Sequence, residues 1–581
     1  MKLTAAQRAA VDEESRHVLV VACPGSGKTR TIVARLLRAI EHVRGTPRRV
    51  ACITYTNAAA HEIEGRLKSL VSAEDVDYCD LGTIHSFCLQ AVLRHHHRLL
   101  GRYEGGLAVA APESSEFAEA GQQAIADTLH GHGSVQEFER VRRGAAGEPL
   151  IPTDVALTDE CVLRFWELLA ERQLVDFPSI TYLTYRLFEL HSHLARSVSS
   201  RYREILIDEM QDTDALQVQI LRRLADVRRS RFFLVGDPFQ SIMGFAGAQP
   251  ARMFELAEHL NARTDFPLHE NWRSSMQIVA LGEALCPRDP AMAAIGPDAQ
   301  YQCQPRIQSA ASGVDAVVGG FLPLLERQGI AVTDAAVLAP AWYMLFPVAR
   351  ELRRLEIPVS GPGARPYRRA RLFTGLIEYL CAYIDTPAPE LLHRVQIQFF
   401  HTVQQTEGEA RFDIWDRPGR LAAMRLVLCG RELRDRNASA IAWLEAAAPA
   451  FTTILREHGF IGETGSAAIE TSAAEIIADI RRNRDFDPDD LTVDDIGDFA
   501  HPDGSLRLLT LHSAKGREFE AVCIIELQDG QFPHARGDIE ESRRVLYVGV
   551  TRPRKALLLC HRSGQRITRF ATEPGFAAAL R

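Results

Sequence analysis

The feature that most constrains how this chain can fold is a glycine-rich turn, ACPGSGKT, at residues 22–29. It follows an apolar, β-branched run at 18–21 and precedes a helical pattern over 31–40. A strand, a tight turn and a helix in this order are the setting of a phosphate-binding loop, because backbone N–H groups and the helix N-terminus then point at one anion. The turn therefore predicts an α/β fold with an anion site at the end of a buried strand.

Residues of this loop have separate expected roles. Gly25 and Gly27 let the backbone approach phosphate groups without a Cβ in the way. Lys28 can reach the outer phosphates, and the hydroxyl of Thr29 can ligate Mg²⁺. Ala22 stands where the first glycine of such loops is usual, so the pattern is matched imperfectly at that position. The loop predicts a nucleoside triphosphate and Mg²⁺ as cofactors.

A second group of chemically significant residues follows the apolar run at 205–207. Asp208 and Glu209 come directly after this run. An acid at a strand tip beside a phosphate loop can hold Mg²⁺, and a neighbouring carboxylate can activate the attacking water. We predict that Asp208 is the metal ligand and Glu209 the general base. A solvated acidic loop is the structural alternative, and the phosphate loop in the same chain disfavours it.

Length and composition exclude several classes of protein. A chain of 581 residues predicts roughly three to five domains. The 11 cysteines are scattered without a Cys-x-x-Cys pair, which argues against a zinc ribbon, an iron–sulfur cluster or a disulfide scaffold. No apolar run reaches the roughly 18 residues of a membrane span, and the N-terminus has no signal region, so we expect a cytoplasmic protein. The net charge of −8 does not exclude a nucleic-acid binder, since a groove needs only local positive charge.

Together with further motifs, these two segments resemble superfamily 1 DNA helicases of the UvrD/Rep/PcrA type. The phosphate loop and the 205–212 segment are similar to motifs I and II of that family. Other segments resemble, in the family's order, the Q motif (3–11), motif Ia (54–60), motif Ib (82–86), motif III (235–242), motif IV (271–274), motif V (510–519) and motif VI (547–552). The chain also resembles reduced members of the family, including the helicase-like subunit of Gabija-type phage-defence systems.

For the ATP site, the resemblance implies that catalysis uses Glu209, a γ-phosphate sensor at Gln240, and two arginine fingers from a second lobe, Arg273 and Arg552. The cleft between the lobes must then close for hydrolysis. Adenine is expected between Arg30 and an aromatic ring, here a tryptophan where the family has tyrosine. The expected nucleotide-binding residues are Gln7, Ala22, Gly25, Ser26, Gly27, Lys28, Thr29, Arg30, Trp272 and Glu518. Glu518 is expected to contact the nucleotide sugar, and Gln7 to read adenine.

The nucleic-acid side departs further from the family pattern. A single-strand motor stacks bases on aromatic rings, and Tyr55 is the best candidate for such a ring. Directly after 235–242, the motif III stretch has Met243 and Ala246 where the family has tyrosine and arginine, and motif Ia has Ala58 where lysine is common. These changes reduce grip on the DNA strand or alter step coupling, without touching hydrolysis. The expected nucleic-acid contacts are Tyr55, Thr56, Thr83, His85, Phe245 and His512. Without the motif context, core packing would explain Tyr55 and Phe245 equally well.

The fold implied by the resemblance is α/β, with two RecA-like P-loop lobes built on parallel sheets, each carrying a mainly helical inserted subdomain. Buried apolar runs predict strands at 18–21, 50–53, 205–207, 232–235, 335–338, 506–510 and 521–525. The expected divisions are lobe 1 at 1–89 and 200–270, a first insertion at 90–199, lobe 2 at 271–365 and 500–581, and a reduced second insertion at 366–499.

The resemblance implies an ATP-hydrolysing, 3′→5′ single-stranded DNA translocase and helicase acting in DNA repair or recombination. Its expected partners are single-stranded DNA, junctions of single and double strands, and a nuclease or repair factor, with no membrane. The alternative is a nucleic-acid-sensing ATPase subunit of a phage-defence or repair complex that does not unwind DNA by itself. The altered motif III and the reduced second insertion favour the alternative, whereas the intact motifs I, II, IV and VI favour a working motor.

Overall fold

The computed structural model of the chain describes residues 2–112, 114–244, 247–361, 365–367, 371–407, 417–437, 439–482, 491–500, 504–535 and 537–580. Phe245, an expected DNA contact, and Ala246 lie outside these ranges. Two parallel sheets, each covered by helices on both faces, organise the described residues.

The first sheet is entirely parallel and carries the phosphate loop. Its strands lie in the order His17–Val21, Arg231–Gly236, Tyr202–Ile207, Arg49–Thr54 and Cys79–Thr83. Successive side chains of a strand point to opposite faces, so Val18 and Val20 pack into one core while Leu19 packs into another. Burial on both faces explains why these strands are continuous apolar runs in the sequence.

The second sheet is also entirely parallel. Its strands lie in the order Arg306–Ala310, Pro553–Arg562, Phe519–Ile524, Ala335–Ala339, Leu506–Thr510 and Val359–Ser360. Ala336 and Leu338 face one core, and Ala335 and Val337 face the other. The predicted α/β class with two parallel-sheet lobes is therefore confirmed.

Helices flank both sheets. Those around the first sheet are Ala5–Asp12, Lys28–Val43, Asn57–Lys68, Ala73–Val76, Ile84–Cys88, Ala215–Asp226 and Ala251–His259. Those around the second are Met276–Leu285, Gly313–Ala316, Leu322–Gln328, Phe346–Arg354, Ile539–Val550 and Pro574–Ala579. None of the described helices is both long and apolar enough to cross a lipid bilayer.

Two mainly helical regions interrupt the sheets. The second has a core of its own, and so does the part of the first around Asp159–Glu171, whereas Phe177–Leu190 and Ser192–Arg201 pack into a core of the first sheet. The first contains Ser115–Leu129, Asp159–Glu171, Phe177–Leu190 and Ser192–Arg201, with short strand pairs at Ala108–Val109 with Leu174–Val175 and at Arg142–Arg143 with Pro149–Leu150. The second contains Thr374–Asp385, Pro389–Glu407, Arg417–Arg436, Ala440–Glu457, Glu463–Arg482 and Val493–Asp498. Phe165 lies in the core of the first region and Trp443 in that of the second.

Candidate active site

The phosphate loop takes the conformation that its glycines allow. Gly25 and Gly27 adopt φ values of 69° and 78°, in the left-handed region, and the helix begins at Lys28. A Cβ at Gly25 would lie 2.7 Å from Cβ of Arg273, and one at Gly27 would lie 2.6 Å from Nε2 of Gln7. The glycines therefore serve both the turn and the close approach of Arg273, a predicted arginine finger, and Gln7, a predicted nucleotide-binding residue.

The acidic pair lies at the carboxyl edge of the same sheet. Asp208 follows the strand Tyr202–Ile207, and its N–H donates to the carbonyl of Ile53 over 2.9 Å. Glu209 has a left-handed φ of 50°, and its Oε1 lies 3.7 Å from Nζ of Lys28. The structure thus brings the predicted general base and the predicted phosphate-binding lysine together.

The two carboxyl groups have opposite pKa shifts. Burial, and then the charge of Glu209, raise the pKa of Asp208. Burial alone would also raise the pKa of Glu209, but the charges of Lys28 and Lys515 and a hydrogen bond from Gln211 bring it below its ordinary value. Glu209 is therefore ionised at neutral pH, which is the form that a general base requires.

The oxygen donors at this point fit Mg²⁺. Asp208 is buried, and the hydroxyl of Thr29 belongs to the first turn of the loop's helix. Mg²⁺ is commonly held by one or two carboxylates together with substrate phosphates, and among the described residues no group of three or more His, Cys, Asp or Glu could hold a metal alone. Asp208 and Thr29 would hold the ion, which when bound neutralises charge on the phosphates.

Arg273 is attached to both lobes. Its N–H donates to Oδ1 of Asn271, whose Nδ2 donates to the carbonyl of Pro24 in the phosphate loop over 2.8 Å. Its guanidinium donates to Oε2 of Glu518 over 2.8 Å and to the carbonyl of Thr551 over 3.2 Å. Arg273 therefore does not come from the second lobe alone, because the chain before it is hydrogen-bonded along the edge of the first sheet.

Arg552 is a buried cation whose hydrogen bonds go to neutral oxygen atoms. It is 1% exposed and donates to the carbonyls of Val548 and Arg517 and to the hydroxyl of Thr551. Burial, and then the nearby charge of Arg273, lower the pKa of Arg552 to about 9. No ion pair among the described residues includes Arg552, although the charges of Glu209 and Asp237 act on it. A buried cation in this setting favours an anion beside it, as expected of an arginine finger.

The structure connects two of the three residues expected to bind adenine, Gln7 and Trp272, to the phosphate loop. Gln7 is buried, and its Nε2 donates to the carbonyl of Ser26 over 2.8 Å. Trp272 is 40% exposed, and its N–H donates to the carbonyl of Gly25 over 2.9 Å. Arg30 is exposed on the helix that follows the loop. The stacking of adenine between Arg30 and Trp272 stays a prediction.

Motif III is joined to the second lobe by a lysine that sequence reasoning missed. Nε2 of Gln240 donates to Oδ2 of Asp237 over 2.8 Å, so the predicted γ-phosphate sensor is held within its own motif. Nζ of Lys515, in motif V, donates to the carbonyl of Gln240 over 2.7 Å and pairs with the buried carboxylate of Asp212. The lysine thus connects motif V to motifs II and III.

Arg288, also missed from the sequence, makes a second connection. It pairs with Oδ1 of the fully buried Asp237 and donates to the hydroxyl of Tyr547 over 2.7 Å. Its guanidinium lies 4.8 Å from the ring centroid of Phe239. Although burial opposes the charged form, Asp237 and Tyr547 raise the pKa of Arg288 above its ordinary value. Arg288 lies outside the recognised motifs, so only the structure reveals it.

We expect Arg288→Lys to lower the free energy of unfolding by roughly 1.5–3 kcal/mol, because lysine cannot reach Asp237 and Tyr547 with the same planar group. Chemical denaturation of the full chain measures this loss. The control is Arg263→Lys, since Arg263 pairs with Asp265 at the surface, where such a pair contributes about 1 kcal/mol or less. Equal losses in the two variants would contradict the importance of the buried pair.

The residues of the first lobe that are expected to contact DNA lie at the ends of two adjacent parallel β-strands, Arg49–Thr54 and Cys79–Thr83. Tyr55 is half-buried, and burial and then the charge of Asp212 raise its pKa. The hydroxyl groups of Thr56 and Thr83 accept backbone hydrogen bonds of 3.2 and 3.3 Å at helix starts. Both threonines thus cap a helix, whether or not they also contact DNA.

Another aromatic ring, also missed from the sequence, lies beside His85. Phe177 is 40% exposed, and its ring centroid is 5.5 Å from that of His85 in an edge-on arrangement. Burial lowers the pKa of His85 to about 4, so its ring is neutral at physiological pH. His512 follows the strand Leu506–Thr510 in the second lobe, and burial and then Lys515 lower its pKa as well.

Comparison with known proteins identifies the family. A model of the UvrD/REP helicase N-terminal domain matches residues 3–143 and 152–261, and one of the UvrD-like helicase C-terminal domain matches 468–564. The chain is 24% identical to the ATP-dependent DNA helicase PcrA of Leuconostoc citreum, over 95% of this chain and 81% of that protein. It is 24% identical to DNA helicase II of Escherichia coli (strain K12), over 97% and 84%, and 23% identical to the ATP-dependent DNA helicase Rep of the same strain, over 96% and 90%. The chain therefore belongs to the UvrD/Rep helicase family, and its two parallel sheets agree with this assignment.

Proposed function

We propose that this protein is an ATP-dependent single-stranded DNA translocase and helicase with 3′→5′ polarity, acting in DNA repair or recombination. One observation carries the proposal: Lys28 and Glu209 lie together at the phosphate loop, and Lys515 of the second lobe pairs with Asp212 in the same motif as Glu209. The family resemblance, and relatives named as DNA helicases, support DNA as the substrate.

In the proposed reaction, Glu209 accepts a proton from the water that attacks the γ-phosphate, and Lys28 and Arg552 stabilise the charge that develops there. Arg552 contributes only while its lobe is closed over the loop. Hydrolysis is thereby coupled to lobe movement, which is the basis of a stepping motor.

A short series of contacts supports coupling between the strand and ATP. Tyr55, a proposed base-stacking residue, lies close enough to Asp212 for that charge to raise its pKa. Asp212 pairs with Lys515 of the second lobe, whose Nζ also donates to the carbonyl of Gln240. A DNA strand stacked on Tyr55 would therefore lie near an ion pair between the lobes.

The proposal is tested with a labelled strand annealed to leave a 3′ tail, a 5′ tail or no tail. We expect single-stranded DNA to accelerate ATP hydrolysis and ATP to drive displacement from the 3′-tailed duplex only. Stimulated hydrolysis without displacement on any duplex would instead support the nucleic-acid-sensing subunit, which the altered Met243 position favours. Stimulation by RNA but not DNA would contradict both functions.

We expect Tyr55→Ala to weaken single-strand binding by roughly 1–3 kcal/mol, because it removes one stacking surface. Tyr55→Phe is the matched control, since it keeps the ring and loses only the hydroxyl. Fluorescence anisotropy with a labelled oligothymidylate measures both affinities. Binding equal to that of the unmodified protein in Tyr55→Ala would exclude stacking at this position.

A further inference from the structure

Two neighbouring aromatic side chains of the second lobe are exposed for no reason that the fold supplies. Trp342 is 57% exposed and Tyr343 is 56% exposed, which makes them the most exposed aromatic residues among those described. They belong to a single helical turn, Trp342–Leu345, between the strand Ala335–Ala339 and the helix Phe346–Arg354. Exposed apolar surface of this kind commonly marks a binding site.

The turn lies at the carboxyl edge of the second sheet, next to motif V. The strand Ala335–Ala339 pairs in parallel with Leu506–Thr510, with Ala339 opposite Thr510. The N–H of Leu511 donates to the carbonyl of Ala339 over 3.0 Å. The chain that leads to Trp342 therefore runs beside the chain that leads to His512, a proposed strand contact. Tyr55 and His85 occupy the corresponding edge of the first sheet.

The helical turn is anchored to the second lobe by Met344 and Leu345, whereas the rings of Trp342 and Tyr343 remain exposed. Leu345 is fully buried in the core of the second lobe. Sδ of Met344 accepts a hydrogen bond from Nε2 of Gln531 over 3.8 Å. The ring centroid of Trp342 lies 5.0 Å from that of Phe346, edge-on at 80°, which leaves the indole supported on one side. A supported and exposed ring is a suitable surface for a planar partner.

We propose that Trp342, with Tyr343 beside it, stacks bases of single-stranded DNA on the second lobe. The inference rests on the proposed function and adds a binding site to it. Two rings of this size present at most about 500 Å², below the roughly 800 Å² per partner of a stable protein interface. Bases stack on single rings without regard to sequence, so a patch of this size fits a strand. Because the patch lies beside motif V, it adjoins the residues that are proposed to contact DNA.

Trp342→Ala tests the proposal by anisotropy with an oligothymidylate. We expect binding about 5- to 150-fold weaker, with Trp342→Phe in between. The slope of affinity against salt should not change, because stacking removes no phosphate contact. On a strand of the same length with abasic sites throughout, Trp342→Ala and the unmodified protein should bind equally. Phe254→Ala, which removes an exposed ring of the helix Ala251–His259, is the matched control and should bind normally.

Equal affinity of Trp342→Ala and the unmodified protein for oligothymidylate would overturn the proposal, as would a loss that persists in full on the abasic strand. An unchanged thermal midpoint of unfolding verifies that the fold of Trp342→Ala is intact. If that midpoint falls, the DNA affinity of Trp342→Phe is compared with that of the unmodified protein instead. Failure of the proposed function is distinguishable, because the unmodified protein would then not displace the strand of the 3′-tailed duplex, whatever its affinity for oligothymidylate. The stacking site alone fails if the unmodified protein displaces the strand and Trp342→Ala binds normally.

Discussion

ATP hydrolysis by the Lys28→Ala variant falls at least about 10³-fold, effectively to background, even with saturating single-stranded DNA. Lys28 is the lysine of the phosphate loop, and a cation placed on the transferring phosphoryl group typically contributes this much or more to the rate. Its Nζ also lies 3.7 Å from Oε1 of Glu209, so the substitution removes a positive charge that helps to keep the general base ionised. Steady-state phosphate release measures the loss.

Lys68→Ala is the control for this experiment. Lys68 forms a surface ion pair with Glu64 one helical turn away, and its loss should leave hydrolysis unchanged. Far-ultraviolet circular dichroism of Lys28→Ala should match that of the unmodified protein, because the glycines and not the lysine set the loop conformation. Turnover near the original rate would remove Lys28 from the phosphate site.

Glu209→Gln should bind ATP and hydrolyse it about 10²–10⁴-fold more slowly. Glutamine keeps the shape of the side chain but cannot accept the proton of the attacking water. Single-turnover hydrolysis measures the chemical step, and binding of a fluorescent ATP analogue measures affinity separately. Glu62→Gln, at an exposed pair with Arg66, should change neither quantity. An unchanged single-turnover rate in Glu209→Gln would show that another residue positions the water.

Most strands of the two sheets could be predicted because their apolar runs are buried on two faces. They include His17–Val21, the outermost strand of the first sheet, whose outer side is hydrogen-bonded to residues 263–268. The strands expected at 18–21, 50–53, 205–207 and 232–235 all lie within strands of the first sheet. The edge strands Cys79–Thr83 and Arg306–Ala310 were missed, because an edge strand is covered less completely and carries polar residues. The strand Pro553–Arg562 was also missed, although it contains an apolar run.

Helix positions were predictable but their lengths were not. Apolar residues recur at helical spacing over 441–447 and 473–480, and these segments lie inside the longer helices Ala440–Glu457 and Glu463–Arg482. The periodic signal comes from the buried stripe of a helix, whereas its ends depend on caps and local packing. The pattern at 31–40 similarly lies within Lys28–Val43, whose start is fixed by the left-handed Gly27.

The candidate site could be predicted where residues are close in sequence to a motif. Lys28, Asp208 and Glu209 were identified in this way, and the structure brings them together. Residues whose partners are distant in sequence were missed: Nζ of Lys515 reaches Asp212 across 303 positions, and Arg288 reaches Tyr547 across 259. Such pairings depend on how the lobes meet, which a single sequence does not encode locally.

The buried pairs Arg288–Asp237 and Lys515–Asp212 bear on how long each cycle of the enzyme lasts. Both join the second lobe to the first, and their carboxylates are fully buried. Separating the lobes must break both pairs at once and rehydrate four charged groups, so the open state is reached through a barrier that nucleotide binding alone does not set. We therefore expect the release of spent nucleotide, rather than bond cleavage, to determine how long the protein dwells between successive steps.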